Sequence, residues 1–242
     1  MGRFIGGKTI NDWGNYVYVK ANAPDLLKMQ IERMNDSGKD REVLISSVTD
    51  PYQGVEAKYK LTRQCLKILA QNHFQGLISI LTKSDLVLRD IDVIKQIENC
   101  IVGITITSTN DSISRYFERY APPSSKRIDA LKKLNKQGID TYAFVGPLLP
   151  HFASQKERLD DLFKAIAQTG TQKLYVEHLN LSPYIKGRLK RHMKKTNREI
   201  LEKFYNSQSE EYRKDLDEIV YRLIRKYEFT LLEDIIFHKN NS

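Results

Sequence analysis

Residues 77–108, LISILTKSDLVLRDIDVIKQIENCIVGITITS, decide the fold class. They open on an apolar run, Leu77–Leu81, that stops at Thr82-Lys-Ser-Asp. A stretch with Ile91, Ile94 and Ile97 at helical spacing follows. A second apolar run, Ile101–Thr107, stops at Ser108-Thr-Asn-Asp. Strand, helix and strand in this order give two parallel strands, because the helix is the crossover that a parallel pair needs. Both runs are apolar along their length, as strands covered by helices should be.

The same unit repeats outward in both directions. Strands are expected near residues 43, 77, 101, 141 and 173. A short extended run is read at Tyr16–Lys20 (YVYVK). Asn22-Ala-Pro-Asp opens a helix that Gly38 follows, with Pro24 in its first turn. Val55, Tyr59, Thr62, Leu66 and Leu69 fall on one helix face, and Ser124 caps a helix that Gly138 closes. A helix is expected from Ser154 to Gln168, with Gly170 ending it. Beyond Ser182 the pattern becomes helical only: a strongly basic helix over Ile185–Tyr205, then an amphipathic one over Glu210–Tyr227. The organisation read from this is a partial parallel α/β barrel over residues 1–182 and a helical extension, 183–242, packed on it.

The 242 residues are 40% hydrophobic, which supports a substantial core. A formal net charge of +9 points towards polyanionic partners such as nucleic acid, or towards anionic small molecules. Cys65 and Cys100 stand on different elements in no metal-type spacing, so no disulfide framework or cysteine metal site is expected, and a reducing cytoplasm is the natural home. The N-terminus has no apolar core of a signal peptide, and no apolar run reaches the ~20 residues of a membrane span. The five histidines show no zinc spacing. There is no Gly-rich phosphate loop, and no Ser-His-Asp set is arguable from the sequence.

In parallel barrels, function gathers at the C-terminal ends of the strands. There the sequence places Thr49 and Asp50, then Lys83, Ser84 and Asp85, then Thr105, Thr107 and Ser108, then Gly146 and Pro147, and last Glu177 and Asn180. Such a set suits a ligand carrying both charges, such as an amino acid. Lys83 would meet a carboxylate, and Asp50 or Glu177 an ammonium. Any one of these residues could equally be a turn former or helix cap, since Ser, Thr, Asp and Asn are favoured there. Arg115 and Arg127 could bind a carboxylate or pair with a nearby acid.

Four phrases carry a family resemblance: SSVTDPYQGVEAKYKLTRQCLKIL (46–69), SILTKSDLVLRDIDVI (79–94), VGITITSTND (102–111) and FERYAPPSSKRIDALKKLNKQGIDTYAFVGPLLP (117–150). They resemble the radical S-adenosylmethionine proteins related to spore photoproduct lyase, many of them labelled DNA-repair-photolyase-like. The likeness runs from about Arg3 to Asn180. It implies a partial (β/α)6 barrel, an S-adenosylmethionine site at the strand ends and lyase-type radical chemistry at a [4Fe–4S] cluster. In that family CxxxCxxC after the first strand holds the cluster, whose fourth iron takes the amino and carboxylate groups of S-adenosylmethionine. No such motif occurs in these residues, and Met1 aligns just after the third family cysteine, so the first strand is expected to be missing.

Residue by residue, the resemblance implies that Thr49 lies near the methionine part of S-adenosylmethionine. It places Lys83 at the cofactor carboxylate, Thr105 on the next strand against the cofactor, and Gly146 and Pro147 beside the adenine. Ser47 stands where spore photoproduct lyase has its hydrogen-donating cysteine. An O–H bond is too strong for that step, so a different substrate is expected.

Three functions follow. The first is the body of a radical S-adenosylmethionine enzyme, inactive as this chain, binding S-adenosylmethionine weakly or not at all. The second is a non-catalytic nucleic-acid-binding protein using Lys186, Arg188, Lys190, Arg191, Lys194, Lys195 and Arg198, with Tyr184 and Tyr205 beside them. The third is a barrel enzyme with Lys83 as a Schiff-base lysine. The open barrel edge also makes a dimer an expectation.

Overall fold

The computed structural model describes residues 6–9, 12, 14–46, 48–153, 155–193 and 198–237. Helix α1 (Ala23–Ile31) leads to strand β1 (Glu42–Ile45), and α2 (Glu56–Tyr59) with α3 (Leu61–Gln71) leads to β2 (Leu77–Thr82). A 3-10 helix, Asp85–Asp90, runs into α4 (Ile91–Ile94) and then β3 (Cys100–Thr105). Helices α5 (Asp111–Phe117) and α6 (Ser124–Lys136) precede β4 (Asp140–Leu148). Helices α7 (Pro150–Ala153) and α8 (Lys156–Ala167) precede β5 (Lys173–His178). Helices α9 (Pro183–Met193), α10 (Arg198–Asn206) and α11 (Glu210–Lys226) follow, and β6 (Thr230–Leu231) comes last.

The strands form one six-stranded sheet in chain order, and every neighbouring pair is parallel. This is the partial parallel α/β barrel that the alternation of apolar runs and amphipathic helices requires. Side chains alternate across each strand, so the register fixes two faces. Ile78 and Ile80, Val102 and Ile104, Ala143 and Val145, and Leu174 and Val176 share one face, and all eight are fully buried. Leu66 and Leu69 of α3, Leu131 and Leu134 of α6, and Leu162, Phe163 and Ile166 of α8 are equally buried and belong to the same core. Burying side chains of this size yields about 1.5–3 kcal/mol each, which makes this face the anchor of the fold.

The opposite face has another chemistry. It carries Leu44, Ser79, Leu81, Gly103, Tyr142, Phe144, Tyr175 and Glu177. Leu44 is exposed, and Leu81, Phe144, Tyr175 and Glu177 are half-buried. Tyr142 and Tyr175 meet edge to face at 5.0 Å. Tyr142 leans over Gly103, where a Cβ would enter its ring, so only glycine leaves room. Burial raises the Tyr142 pKa, and a hydrogen bond with Ser79 opposes the rise. This face is the concave, partly open interior of the barrel.

Four expectations change. Residues 16–20 form no strand, although the Tyr16 and Tyr18 rings meet at 5.4 Å. The helix expected across Val55–Leu69 is broken at Lys60, whose φ of 53° is left-handed and starts a new helix. The single basic helix expected over 185–205 is two helices, α9 and α10, with residues 194–197 outside the described set. The expected helical extension also carries a strand. Thr230 and Leu231 pair with Lys173 and Leu174, and Glu177 bridges to Ile236. The extension therefore completes one edge of the sheet. Its α11 is tied to α8, since Asp160 Oδ1 accepts from Lys226 Nζ at 2.7 Å and from the Tyr227 hydroxyl at 3.1 Å.

Candidate functional site

The strand tips meet around the open face. In the β2–β3 register, Leu81 stands opposite Gly103 and Thr82 opposite Ile104. One step further sets Lys83 opposite Thr105 on the concave side. Thr105 in turn pairs with Phe144, and Phe144 with Tyr175. Two residues beyond these lie Gly146 and Glu177. A Cβ on Gly146 would sit 2.7 Å from the Glu177 Cβ and 3.2 Å from its Oε2, so glycine there lets the Glu177 carboxyl group lie across the β4 tip. The Gly146–Pro147 peptide is cis, and the β4–β5 register shifts between Val145 and Leu148. Lys83, Thr105, Gly146 and Glu177 thus line up along one rim.

Other expected residues are occupied in holding that rim in shape. The carboxylate of Asp50 accepts three hydrogen bonds: from Tyr52 N at 2.8 Å, from the Thr82 hydroxyl at 2.6 Å and from Lys83 N at 2.7 Å. It ties the loop after β1 to the tip of β2. Thr49 is exposed in that loop, and its hydroxyl lies 2.9 Å from Ser46 Oγ. Ser84 caps the following 3-10 helix by accepting from Leu86 N at 3.3 Å. Thr107 and Ser108 are buried after β3, and Ser108 Oγ reaches the Asn110 carbonyl at 3.2 Å. Pro147 is half-buried. Asn180 is half-buried two residues beyond β5: its neighbours Leu179 and Leu181 are bonded to Gln208 ahead of α11, and its own Oδ1 is buried without a hydrogen-bond partner among the described residues. Arg115 is exposed, whereas Arg127 pairs with an acid. Ser47 lies outside the described residues.

Two sets of contacts are not legible in the sequence, although Lys83 and Arg127 of the first were singled out there. The first is Glu118 and its partners. Arg127 is fully buried. Its Nε donates to the Pro122 carbonyl at 2.7 Å, its Nη1 to the Thr105 carbonyl at 3.4 Å, and Nη1 lies 2.6 Å from Glu118 Oε2. The other carboxylate oxygen, Oε1, lies 3.5 Å from Lys83 Nζ. Glu118 is 20% exposed and Lys83 37%, so the chain of charge runs from the interior to the rim. The signal was present in FERYAPPSSKR, where an acid precedes a proline turn and a basic helix start, but sequence alone does not pair Glu118 with Arg127.

The second set braces the loop that carries Asp50. Fully buried Asp90 accepts from Arg63 Nη1 at 2.9 Å and from Arg89 Nε at 2.7 Å. Arg89 also holds Glu56 at 2.9 Å, and Arg63 forks onto Asp92 at 2.7 and 2.6 Å. That fork depresses the Asp92 pKa to about 2. Thr62 donates to the Pro51 carbonyl at 2.6 Å. Burial, with the Asp90 carboxylate beside it, drives the Tyr52 phenol pKa upward.

The fit to the two cofactors differs. A rim with one cation, hydroxyl groups, a carboxylate and half-buried rings has the donor set that a charged nucleoside derivative such as S-adenosylmethionine needs. The thiols do not make an iron–sulfur site. Cys65 is on α3 and Cys100 at the start of β3, remote from the strand tips; burial raises both thiol pKa values, that of Cys100 to about 12. Among the described residues no cluster of His, Cys, Asp and Glu is arranged to hold a metal ion. Among them, too, no helix is long and apolar enough to cross a membrane.

No family model matches the chain. It is 40% identical over 171 residues to the uncharacterized protein MJ0683 of Methanocaldococcus jannaschii, which covers 70% of this chain and 60% of that protein. It is 28% identical over 179 residues to the uncharacterized protein Rv2578c of Mycobacterium tuberculosis, covering 73% of this chain and 52% of that one. The chain thus spans little more than half the length of these relatives. Among solved structures it resembles spore photoproduct lyase complexed with dinucleoside spore photoproduct, with a TM-score of 0.68, 14% identity, and coverage of 89% of this chain and 67% of that one. It also resembles Streptococcus suis SuiB bound to S-adenosylmethionine, with a TM-score of 0.54, 12% identity, and coverage of 89% and 42%. At these identities the likeness establishes a shared fold.

Proposed function

We propose that this chain is the barrel body of a radical S-adenosylmethionine protein and that its rim binds S-adenosylmethionine. The observation that carries the reading is the line of Lys83, Thr105, Gly146 and Glu177 along one concave edge, in a fold shared with a structure that holds S-adenosylmethionine. Lys83 offers an ammonium to the ligand carboxylate, oriented through Glu118 and Arg127. Thr105 and Glu177 offer polar contacts. Phe144 and Tyr175 give a planar group an apolar wall, their rings being 6.2 Å apart. Asp50 keeps the Lys83 backbone in place through its bond to Lys83 N.

When bound, S-adenosylmethionine supplies a sulfonium-linked 5′-deoxyadenosyl group. Its reductive cleavage in the family uses a cluster for which these 242 residues, with two separated cysteines, hold no ligand set. The chain on its own therefore binds S-adenosylmethionine without cleaving it. Spore photoproduct lyase chemistry is not proposed, because Ser47 replaces the thiol donor of that reaction.

Calorimetric titration with S-adenosylmethionine tests the reading. Weak, saturable binding that Lys83→Met reduces about tenfold is expected for loss of one charge-assisted contact. Binding unaffected by Lys83→Met, or no binding at all, would refute the rim. Anaerobic reconstitution with iron and sulfide should leave the protein colourless, and a brown product with a cluster absorption band would refute the absence of ligands.

A further inference from the structure

We propose that the cleft between α9 and α10 is a docking site for single-stranded nucleic acid. The inference rests on a surface of its own and is independent of the rim.

Residues 183–206 hold eight Lys and Arg against two Glu, which is most of the chain's net charge of +9 in a tenth of its length. Both carboxylates already have partners on α10. Arg198 Nε lies 3.4 Å from Glu202 Oε1, and Lys203 Nζ lies 3.1 Å from Glu199 Oε1. On α9, Lys186, Arg188, Lys190 and Arg191 are exposed, and among the described residues none of them has a carboxylate at ion-pairing distance.

The charge is arranged around a concavity. A cleft of about 570 Å³ is lined by Lys186, Gly187 and Lys190 of α9 and by Arg198, Leu201, Glu202 and Tyr205 of α10, with the Glu202 carboxylate held by Arg198. Lys186 and Lys190 are one helical turn apart, so both ammonium groups address the same groove. Lys186 Nζ stands 4.8 Å from the centre of the Tyr205 ring. Nothing lies within 4 Å of the place a Gly187 Cβ would take, so the wall is open there. A second aromatic–cation pair, Arg188 5.7 Å from the Tyr184 ring, lies outside the cleft on another face of α9.

Cations for phosphates, with an aromatic ring and an apolar wall for bases, are the pairing that single strands require. Paired bases in a duplex keep their faces hidden from such a ring. A lipid surface would need an outward apolar stripe, but α9 turns Met193 fully inward and Leu189 is half-buried. An acidic peptide would use the cations and leave the aromatic wall without a planar partner.

The test is fluorescence anisotropy of the full chain with a labelled oligothymidylate dodecamer across a salt series. Three phosphate contacts, from the cleft cations Lys186, Lys190 and Arg198, give a slope of log K against log salt of about −2, at roughly −0.7 per contact. Lys186→Ala with Lys190→Ala should bring the slope to about −0.7 and weaken binding more than tenfold at low salt. Gly187→Leu fills the cleft without removing charge, so it should weaken binding about tenfold and leave the slope unchanged. Circular dichroism of each variant checks folding, and Lys132→Ala with Lys133→Ala, on α6, serves as a variant of equal charge loss elsewhere. The proposal is overturned if the oligonucleotide does not bind at low salt. It is overturned equally if the α6 pair weakens binding as much as the α9 pair, or if Gly187→Leu binds like the parent. Tighter binding to a duplex dodecamer, to polyglutamate or to phosphatidylserine vesicles also overturns it.

Discussion

Replacing Arg127 by Met removes the buried end of the charge chain that reaches Lys83. The side chain is fully buried and holds the Pro122 carbonyl, the Thr105 carbonyl and Glu118. Removing one member of a buried ion pair costs about 3–5 kcal/mol, chiefly because the other charge is left without a partner. Glu118 is one-fifth exposed and regains some water, so the lower end applies and about 3 kcal/mol is expected. That is a factor of about a hundred in the folding constant and, with a urea m-value of about 3 kcal/mol/M, a midpoint shift of about 1 M. Glu118→Gln keeps one acceptor and should cost about 1–2 kcal/mol. The double variant removes both charges, and its cost should fall short of the summed single costs by about 1.5 kcal/mol. Urea unfolding followed by tryptophan fluorescence and circular dichroism measures all three. A coupling below about 0.5 kcal/mol would show that the 2.6 Å contact contributes nothing specific and would remove the argument for an oriented Lys83. Lys83→Met should stay within about 0.5 kcal/mol of the parent, since its contact with Glu118 is long and solvated.

Gly103→Ala should destabilise by about 2–3 kcal/mol, because its Cβ enters the Tyr142 ring, and Tyr142→Ala in the same chain should recover part of that; thermal unfolding reads both. Acid stability is expected to depend on Asp92. Its folded pKa of about 2 lies below the ordinary 3.8, so its contribution is complete above about pH 4 and disappears as the pH falls through about 2. Asp92→Asn should flatten the loss of stability over that interval in urea titrations at stepped pH, and an unchanged slope would contradict the Arg63 fork. Ser209→Ala deprives the N-terminus of α11 of the oxygen that accepts from Tyr212 N at 3.2 Å and should cost about 1 kcal/mol in urea unfolding.

Much of the fold could be read from the chain because parallel strands announce themselves. Five of the six strands are uninterrupted apolar or β-rich runs bounded by polar turns, and their helices carry a clear apolar stripe. β6 gives no such signal. It has two residues, and its place is set by α11, which delivers Thr230 beside Lys173. Tyr16–Lys20 has the composition of a strand, yet it forms no ladder. The placement of Lys83, Thr105, Gly146 and Glu177 on one rim was legible because strand ends in a parallel barrel share one rim. Asp50 and Ser84 were named for the same reason, but they cap and tie the loops, and composition does not separate a tie from a ligand contact. Glu118, Asp90, Arg63 and Arg89 escaped notice because their meaning lies in who meets whom across the chain, as in Glu118 with Arg127 and Arg63 with Asp92.

The outer edge of β5 is closed by residues that follow α11 in the chain. Ile236 N donates to the Val176 carbonyl at 2.8 Å, and His178 N donates to the Ile236 carbonyl at 3.0 Å. The Lys83 side of the rim needs only β2 and β3, which are made before β4 and β5 and can pair first. The Glu177 side waits for residue 236 before its edge bonds exist. The two halves of the basin are therefore born at different times, and a nascent chain carries a half-built rim until residue 236 has been made.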